Sequence, residues 1–290
     1  APVIAQPRPM PHSLRNRPAS PLVLPQVRTI GLLRPLAWLA LALRDIARAP
    51  LLSLAHGLVL ALLGAAILSL GYNRFWFVAG TLSGFLIVGP MLATSLYAIS
   101  RALERGERVG LGLVWQTWAS WQRSHAGQAQ HQGYWSLVRF GLLLSLAATG
   151  WVAISASLIY TLSPVRVDTP MDFLRHVVLA REGALFAIWL ALGSFLAAPI
   201  FASSVVAMPL LLDRRITVRQ AVLTSWAVVL ANPVPMALWA ALIVVLTLLG
   251  LGTLLIGLVV VMPLLGHASW HAYRELVDAS AFAPLDAPAP

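Results

Sequence analysis

The 290 residues are 59% hydrophobic and 10% charged, with a mean hydropathy of +0.81. A soluble domain carries roughly a quarter charged residues, so the composition excludes a water-soluble body and indicates an integral membrane protein with several spans. All twenty basic residues are Arg, as expected of a GC-rich bacterial genome, and the absence of Cys excludes disulfides, thiolate metal sites and cysteine nucleophiles.

Residues 1–27 form a Pro-rich tail. Ala1–Gln26 holds seven prolines and three arginines without an apolar run, which predicts a polyproline-like, weakly structured segment and no cleavable leader. Residues 28–49 predict an interfacial helix, with Pro35 in its first turn. Arg44 and Arg48 share one face of it, and Leu36, Leu39, Leu43 and Ile46 form an apolar one. Residues 50–278 predict the transmembrane domain. Span one, Leu51–Leu70, is opened by Pro50 and covers about 30 Å at 1.5 Å per residue. Span two, about Phe75–Ser100, enters through Phe75, Trp76 and Phe77; Gly80, Gly84 and Gly89 give it a small-residue packing face.

The connection Arg101–Gln132 contains an amphipathic stretch, Leu111–Trp121, whose Trp115, Trp118 and Trp121 suit an interfacial belt better than a ligand-stacking box. Span three is about Leu137–Leu162. Thr169, Pro170 and Asp172 then predict the capped start of a short surface helix. Span four, about Ala184–Leu212, carries kinks at Pro199 and Pro209. Gln116-Thr117-Trp118-Ala119 is echoed by Thr224-Ser225-Trp226-Ala227, so short amphipathic helices follow the even-numbered spans. Pro235–Tyr273 is about twice too long for one crossing, and Gly250-Leu251-Gly252 predicts a hairpin of spans five and six. Residues 279–290 predict a frayed C-terminal tail.

The fold expected is therefore an all-α membrane protein of about six transmembrane helices, arranged as three repeated hairpins with short interfacial helices. The repeat is carried by Val88–Glu104 and Val261–Val277. Pro90 matches Pro263, Leu92 matches Leu265, Tyr97 matches Trp270, Arg101 matches Arg274 and Leu103 matches Leu276. Six crossings place both termini on one side. Four arginines (Arg74, Arg166, Arg175, Arg181) fall on the opposite side and the other sixteen on the terminal side, which predicts cytoplasmic termini in a bacterial inner membrane. Topology thus accounts for the net charge of +10, and no nucleic-acid partner is implied.

All ten carboxylates fall outside the predicted spans, which argues against an ion-coupled pump and removes any paired-carboxylate catalytic site. No P-loop, GxSxG or HExxH motif occurs. The exceptional side chains are His56, His267 and His271, expected at similar depth near one membrane face. Such a trio fits interfacial hydrogen bonding, or else a copper, zinc or haem site, or a proton-handling group. His12, His125, His131 and His176 lie in polar segments. Arg101 with Glu104, and Arg274 with Asp278, have the spacing of exposed helix pairs contributing ~0.2–0.5 kcal/mol each.

Gly89–Arg108 (G-P-M-L-A-T-S-L-Y-A-I-S-R-A-L-E-R-G-E-R) and Pro263–Val277 (P-L-L-G-H-A-S-W-H-A-Y-R-E-L-V) resemble an uncharacterised bacterial family of predicted integral membrane proteins, over about Pro35–Asp278. The resemblance implies the fold class and no activity. Some members carry the label of putative cytochrome c oxidase subunit I, but that catalytic subunit has more spans and more histidine ligands than this chain offers. The expectation is a non-catalytic accessory, assembly or scaffold subunit of a larger membrane complex, contacting the lipid bilayer and other subunits or a second copy, with no cofactor. The alternatives are a passive transporter or channel for a small or hydrophobic solute, and a metal- or haem-handling protein using His56, His267 and His271.

Overall fold

The computed structural model describes residues 22–70, 76–78, 80–81, 93–117, 131–180 and 184–286. The helices are α1 (Arg34–Arg48), α2 (Pro50–Leu70), α3 (Thr94–Glu104), α4 (His131–Leu162) and α5 (Pro170–Phe173, continued by a π turn at Leu174–Val178). They continue with α6 (Leu185–Ser204), α7 (Ala207–Asp213), α8 (Val218–Ala231), α9 (Pro233–Gly252) and α10 (Leu258–Leu276). Residues 111–117 are also helical. Pro50–Leu70, Leu185–Asp213 and Pro233–Gly252 are long and apolar enough to cross a bilayer. Their outer faces are apolar too: α2 exposes Leu58, Val59, Leu62 and Leu63, and α9 exposes Val244, Val245, Leu248 and Leu249. Such faces are stable against hydrocarbon and costly against water. This is an all-α membrane protein. Of the second predicted span, a Cβ added to Gly80 would lie 3.5 Å from Val152 Cγ1 in α4, while Gly84, Gly89 and Pro90 lie outside the described residues, as do Trp118 and Trp121.

Local chemistry sets most boundaries. Thr169 and Asp172 form the predicted capping box at α5, and Thr217 with Gln220 forms a second at α8. Span four breaks between α6 and α7. Pro209 cannot donate and its ring clashes one turn back, and at the break the buried N–H of Val206 donates to Ser225 Oγ at 3.3 Å. The predicted α9–α10 hairpin is present, with its turn displaced. The helix runs through Gly252, and the left-handed backbone falls on Leu254 and Leu255 (φ +53° and +70°), where the Thr253 hydroxyl receives the Gly257 N–H at 2.8 Å.

Helix α10 is the hub, packed on α1, α2, α3 and α9. It runs antiparallel to α2 and parallel to α3, and both approaches use glycine. A Cβ on Gly57 would lie 2.1 Å from Val259 O, and one on Gly266 would lie 2.6 Å from Leu96 Cδ1. Helix α1 differs from the expected membrane-surface helix. Leu36 and Leu43 do face outward, but Trp38, Ala42 and Asp45 are buried against the bundle. The helix therefore packs one face on the bundle and leaves Leu36, Leu43, Arg44 and Arg48 exposed on the other.

The repeat has a third copy that the sequence pattern did not make evident. Pro199, Phe201, Leu212 and Asp213 occupy the spacing of Pro90, Leu92, Leu103 and Glu104. The three C-terminal ends α3, α7 and α10 pack on one another. A short helix leads each unit: α1, residues 111–117, and α8. Helices α1 and α8 superpose in pattern, since Trp38, Ala42, Asp45 and Ala49 correspond to Ala221, Ser225, Val228 and Asn232, all buried. Ala49 (φ −134°, ψ 58°) and Asn232 (φ −133°, ψ 54°) make the same bend into Pro50 and Pro233.

The chain enters and leaves this bundle at one end. Gln26–Val27 (β1) pairs antiparallel with Val277–Asp278 (β2), and Arg28 donates to Asp278 at 2.7 Å. The fraying expected over residues 279–290 is absent from the described part, residues 279–286. Arg214 donates to Phe282 O at 3.0 Å, Arg215 N to Ala283 O at 2.9 Å and Leu285 N to Asp213 O at 3.0 Å. Composition misled here because the anchoring partners are backbone groups, which an Ala/Pro-rich sequence does not reveal. Replacing Gly57 with Ala should lower stability by ~1–3 kcal/mol through overpacking. Gly110→Ala, with open space around it, should leave thermal unfolding in detergent unchanged.

Candidate functional site: a buried carboxylate–imidazole cluster

Four helices deliver the site. α1 brings Asp45, α2 brings Ser53, α3 brings Ser100, and α10 brings His267 and His271 one turn apart on a shared face. Ser53 and His267 are fully buried, Ser100 nearly so, and Asp45 is 4% exposed. Ser100 Oγ donates to Asp45 Oδ2 at 2.7 Å and lies 2.7 Å from His267 Nδ1. His267 Nε2 is 3.0 Å from Ser53 Oγ, and His271 Nε2 is 2.8 Å from Asp45 Oδ2.

The protons follow by elimination. An ionised carboxylate only accepts, so the single Ser100 proton goes to Asp45. Ser100 Oγ must then accept from His267 Nδ1–H. That leaves Nε2 of the neutral ring as an acceptor, so Ser53 donates to it. Every donor along Ser53, His267 and Ser100 points toward Asp45, and His271 Nε2–H reaches it from the other side. Burial would raise the Asp45 carboxyl, but hydrogen bonds from His271 and Ser100 and the nearby imidazoles outweigh it and hold the group below its ordinary value.

The predicted trio does not converge. His56 hydrogen-bonds through Nδ1 to Leu52 O at 2.7 Å, one turn back on its own helix. Both nitrogens of His267 are taken by serine hydroxyls. Among the described residues no three His, Asp or Glu side chains are arranged to hold a metal ion. The histidine spacing was informative about position and misleading about partner, because Asp45 and the two serines come from distant segments.

The repeat arginines sit in a second polar layer at the same end. Arg274 pairs with Glu104 of α3 at 2.9 Å, and Trp270 Nε1 donates to Glu104 at 3.0 Å. Arg101 donates to Leu212 O at 3.0 Å, and Asp278 is taken by Arg28. The within-helix pairs expected from spacing are thus replaced by contacts between units. The arginine of the third unit reaches the acid position of the first, and that of the first reaches the matching end of the second. Asp213, 3% exposed, accepts from Tyr273 at 2.7 Å and Arg214 at 2.9 Å. Two carboxylates expected in water, Asp45 and Asp213, are therefore buried.

These features belong to a membrane protein whose polar interior is gathered at one end. Residues 77–213 match the family DUF2189, described as a predicted integral membrane protein. No curated protein and no solved structure matches the chain. The DUF2189 match spans α3 through α7. Ser100 lies inside it, whereas Asp45, Ser53, His267 and His271 lie outside.

Because Asp45 is depressed in the fold, its stabilisation is complete above its unfolded value of about 4 and is lost as pH falls through the lower folded value. Thermal unfolding measured between pH 3 and 6 should therefore show stability falling with acid. Asp45→Asn should flatten that dependence and cost ~1–3 kcal/mol at neutral pH.

Proposed function

We propose that the protein is a non-catalytic accessory or scaffold component that docks other membrane proteins. The outer surface of the α4–α6 hairpin supports this reading. The two helices hold each other through Trp151 and Trp189 (5.5 Å between rings), a Trp189 Nε1 donation to Ser155 at 2.6 Å, and Gly193 beneath Trp151. Their opposite faces carry a strip of small side chains, Thr149, Ala153 and Ser157 on α4 and Ala187, Ala191, Ser194 and Ala198 on α6, set among exposed Leu146 and Tyr160 on α4 and Ile188, Leu190 and Phe195 on α6. On α2 and α9 the middle of the exposed face is itself Leu and Val, as at Leu58, Val59, Leu62 and Leu63 and at Val244, Val245, Leu248 and Leu249. Between helices in lipid there is no hydrophobic driving force, and association favours small residues that let backbones approach. A hairpin with two such outward faces suits a helix of another chain, while large aliphatic side chains suit lipid tails.

Ala191→Leu or Ala153→Leu should reduce the yield of co-purifying membrane protein several-fold, quantified by mass spectrometry after mild-detergent extraction. Leu62→Ala on α2 should not. Elution of the wild type as a monomer with nothing bound would end this reading.

A further inference from the structure

The internal repeat supplies a control for the buried cluster. Position by position, Asp45 of α1 corresponds to Val228 of α8. By the same correspondence Ser53 is replaced by Met236, Ser100 by Tyr273 and His271 by Ala207. These four counterparts are buried and belong to one hydrophobic core. The counterpart of His267 is Ser203, which accepts from Trp226 Nε1 at 2.9 Å. The same backbone arrangement therefore closes with largely apolar packing where α8 meets α6 and α7, and with a carboxylate, two imidazoles and two hydroxyls where α1 meets α10. Buried ionic groups seldom stabilise a fold better than apolar residues of similar size. At the counterparts of Asp45, Ser53 and His271 this chain carries apolar residues, while Tyr273 turns its hydroxyl to Asp213 and Ser203 to Trp226. Packing alone gives no reason for the polar one.

We propose that Asp45, Ser100, His267 and Ser53, joined by His271, form a proton-binding site. The titratable groups facing it are Asp45 of α1, His56 of α2, and His267 and His271 of α10; α3 contributes the Ser100 hydroxyl. The side chain of His271 is 17% exposed, whereas His267 and Ser53 are sealed, so His271 is the port. With both rings neutral the cluster carries one negative charge. A proton from water adds to the free ring nitrogen of His271, making an imidazolium–carboxylate pair with no net charge. The chain of hydroxyls and imidazole then reads the altered charge of Asp45 as far as Ser53, at the head of α2.

The test uses full-length protein with ¹⁵N-labelled histidine in phospholipid nanodiscs, titrated from pH 4 to 9. The His271 and His267 ring nitrogens should shift together in one step. Asp45→Asn, which removes the negative charge at the centre of the cluster, should move that shared step to lower pH. His271→Gln should remove the His267 response. The variant Asp45→Val/Ser53→Met/Ser100→Tyr/His267→Ser/His271→Ala, which copies the counterpart at all five positions, should keep its helical circular dichroism and elution volume. If that variant does not fold, the cluster is structural and the proposal falls. Independent titration of the two rings, or an Asp45→Asn midpoint equal to wild type, overturns it as well; these two readings come from the wild type and a near-isosteric single variant.

Discussion

A carboxylate removed from water persists only where donors replace its hydration shell. Asp45 obtains them from two other helices, Ser100 on α3 and His271 on α10. That requirement fixes three elements at once: α1 must lie across the bundle, α3 must run beside α10, and the His face of α10 must turn inward. The second buried acid works alike, since Asp213 gathers Tyr273, Arg214 and the Leu285 backbone around the end of α7. Two carboxylates thus organise the polar end of a molecule whose α2 and α9 surfaces are hydrocarbon-like. No buried side-chain polar atom among the described residues lacks a partner.

Close approach makes this possible. Glycine at 57 and 266 lets α2 and α3 come near enough to α10 for short serine side chains to reach a histidine ring. Larger side chains at those positions would separate the helices and open the hydrogen bonds. The aromatic pair Trp38 and Trp239, edge to face at 5.5 Å, and the Trp38 donation to Glu275 at 2.7 Å hold the same buried face of α1 about two turns nearer its N-terminus. Packing and polar chemistry are therefore one device at this end.

The three-unit repeat explains why polar contacts cross between units. Equivalent helices at equivalent levels bring an arginine of one unit to the acid position of the next, as with Arg274 and Glu104. The copy built on Pro199 escaped notice because Val206 and Leu210 stand where the other units have an aromatic residue and Arg. Its signal was the preserved spacing from Pro199 through Phe201 to Leu212 and Asp213.

Hydropathy, proline and glycine placement and capping chemistry are local, so the amino-acid sequence by itself determined the membrane class, the α9–α10 hairpin, the entry at Pro50 and the box at Thr169. It also marked His267 and His271 as neighbours, because one helical turn separates them. Which groups face those rings is a matter of contacts between residues far apart in the chain. Only the tertiary structure brought Asp45, Ser53 and Ser100 to them, buried a carboxylate that polarity alone assigns to water, and pinned residues 279–286 against α7. A charge reports its own cost of burial, but not the partners that offset it, and those are chosen by packing.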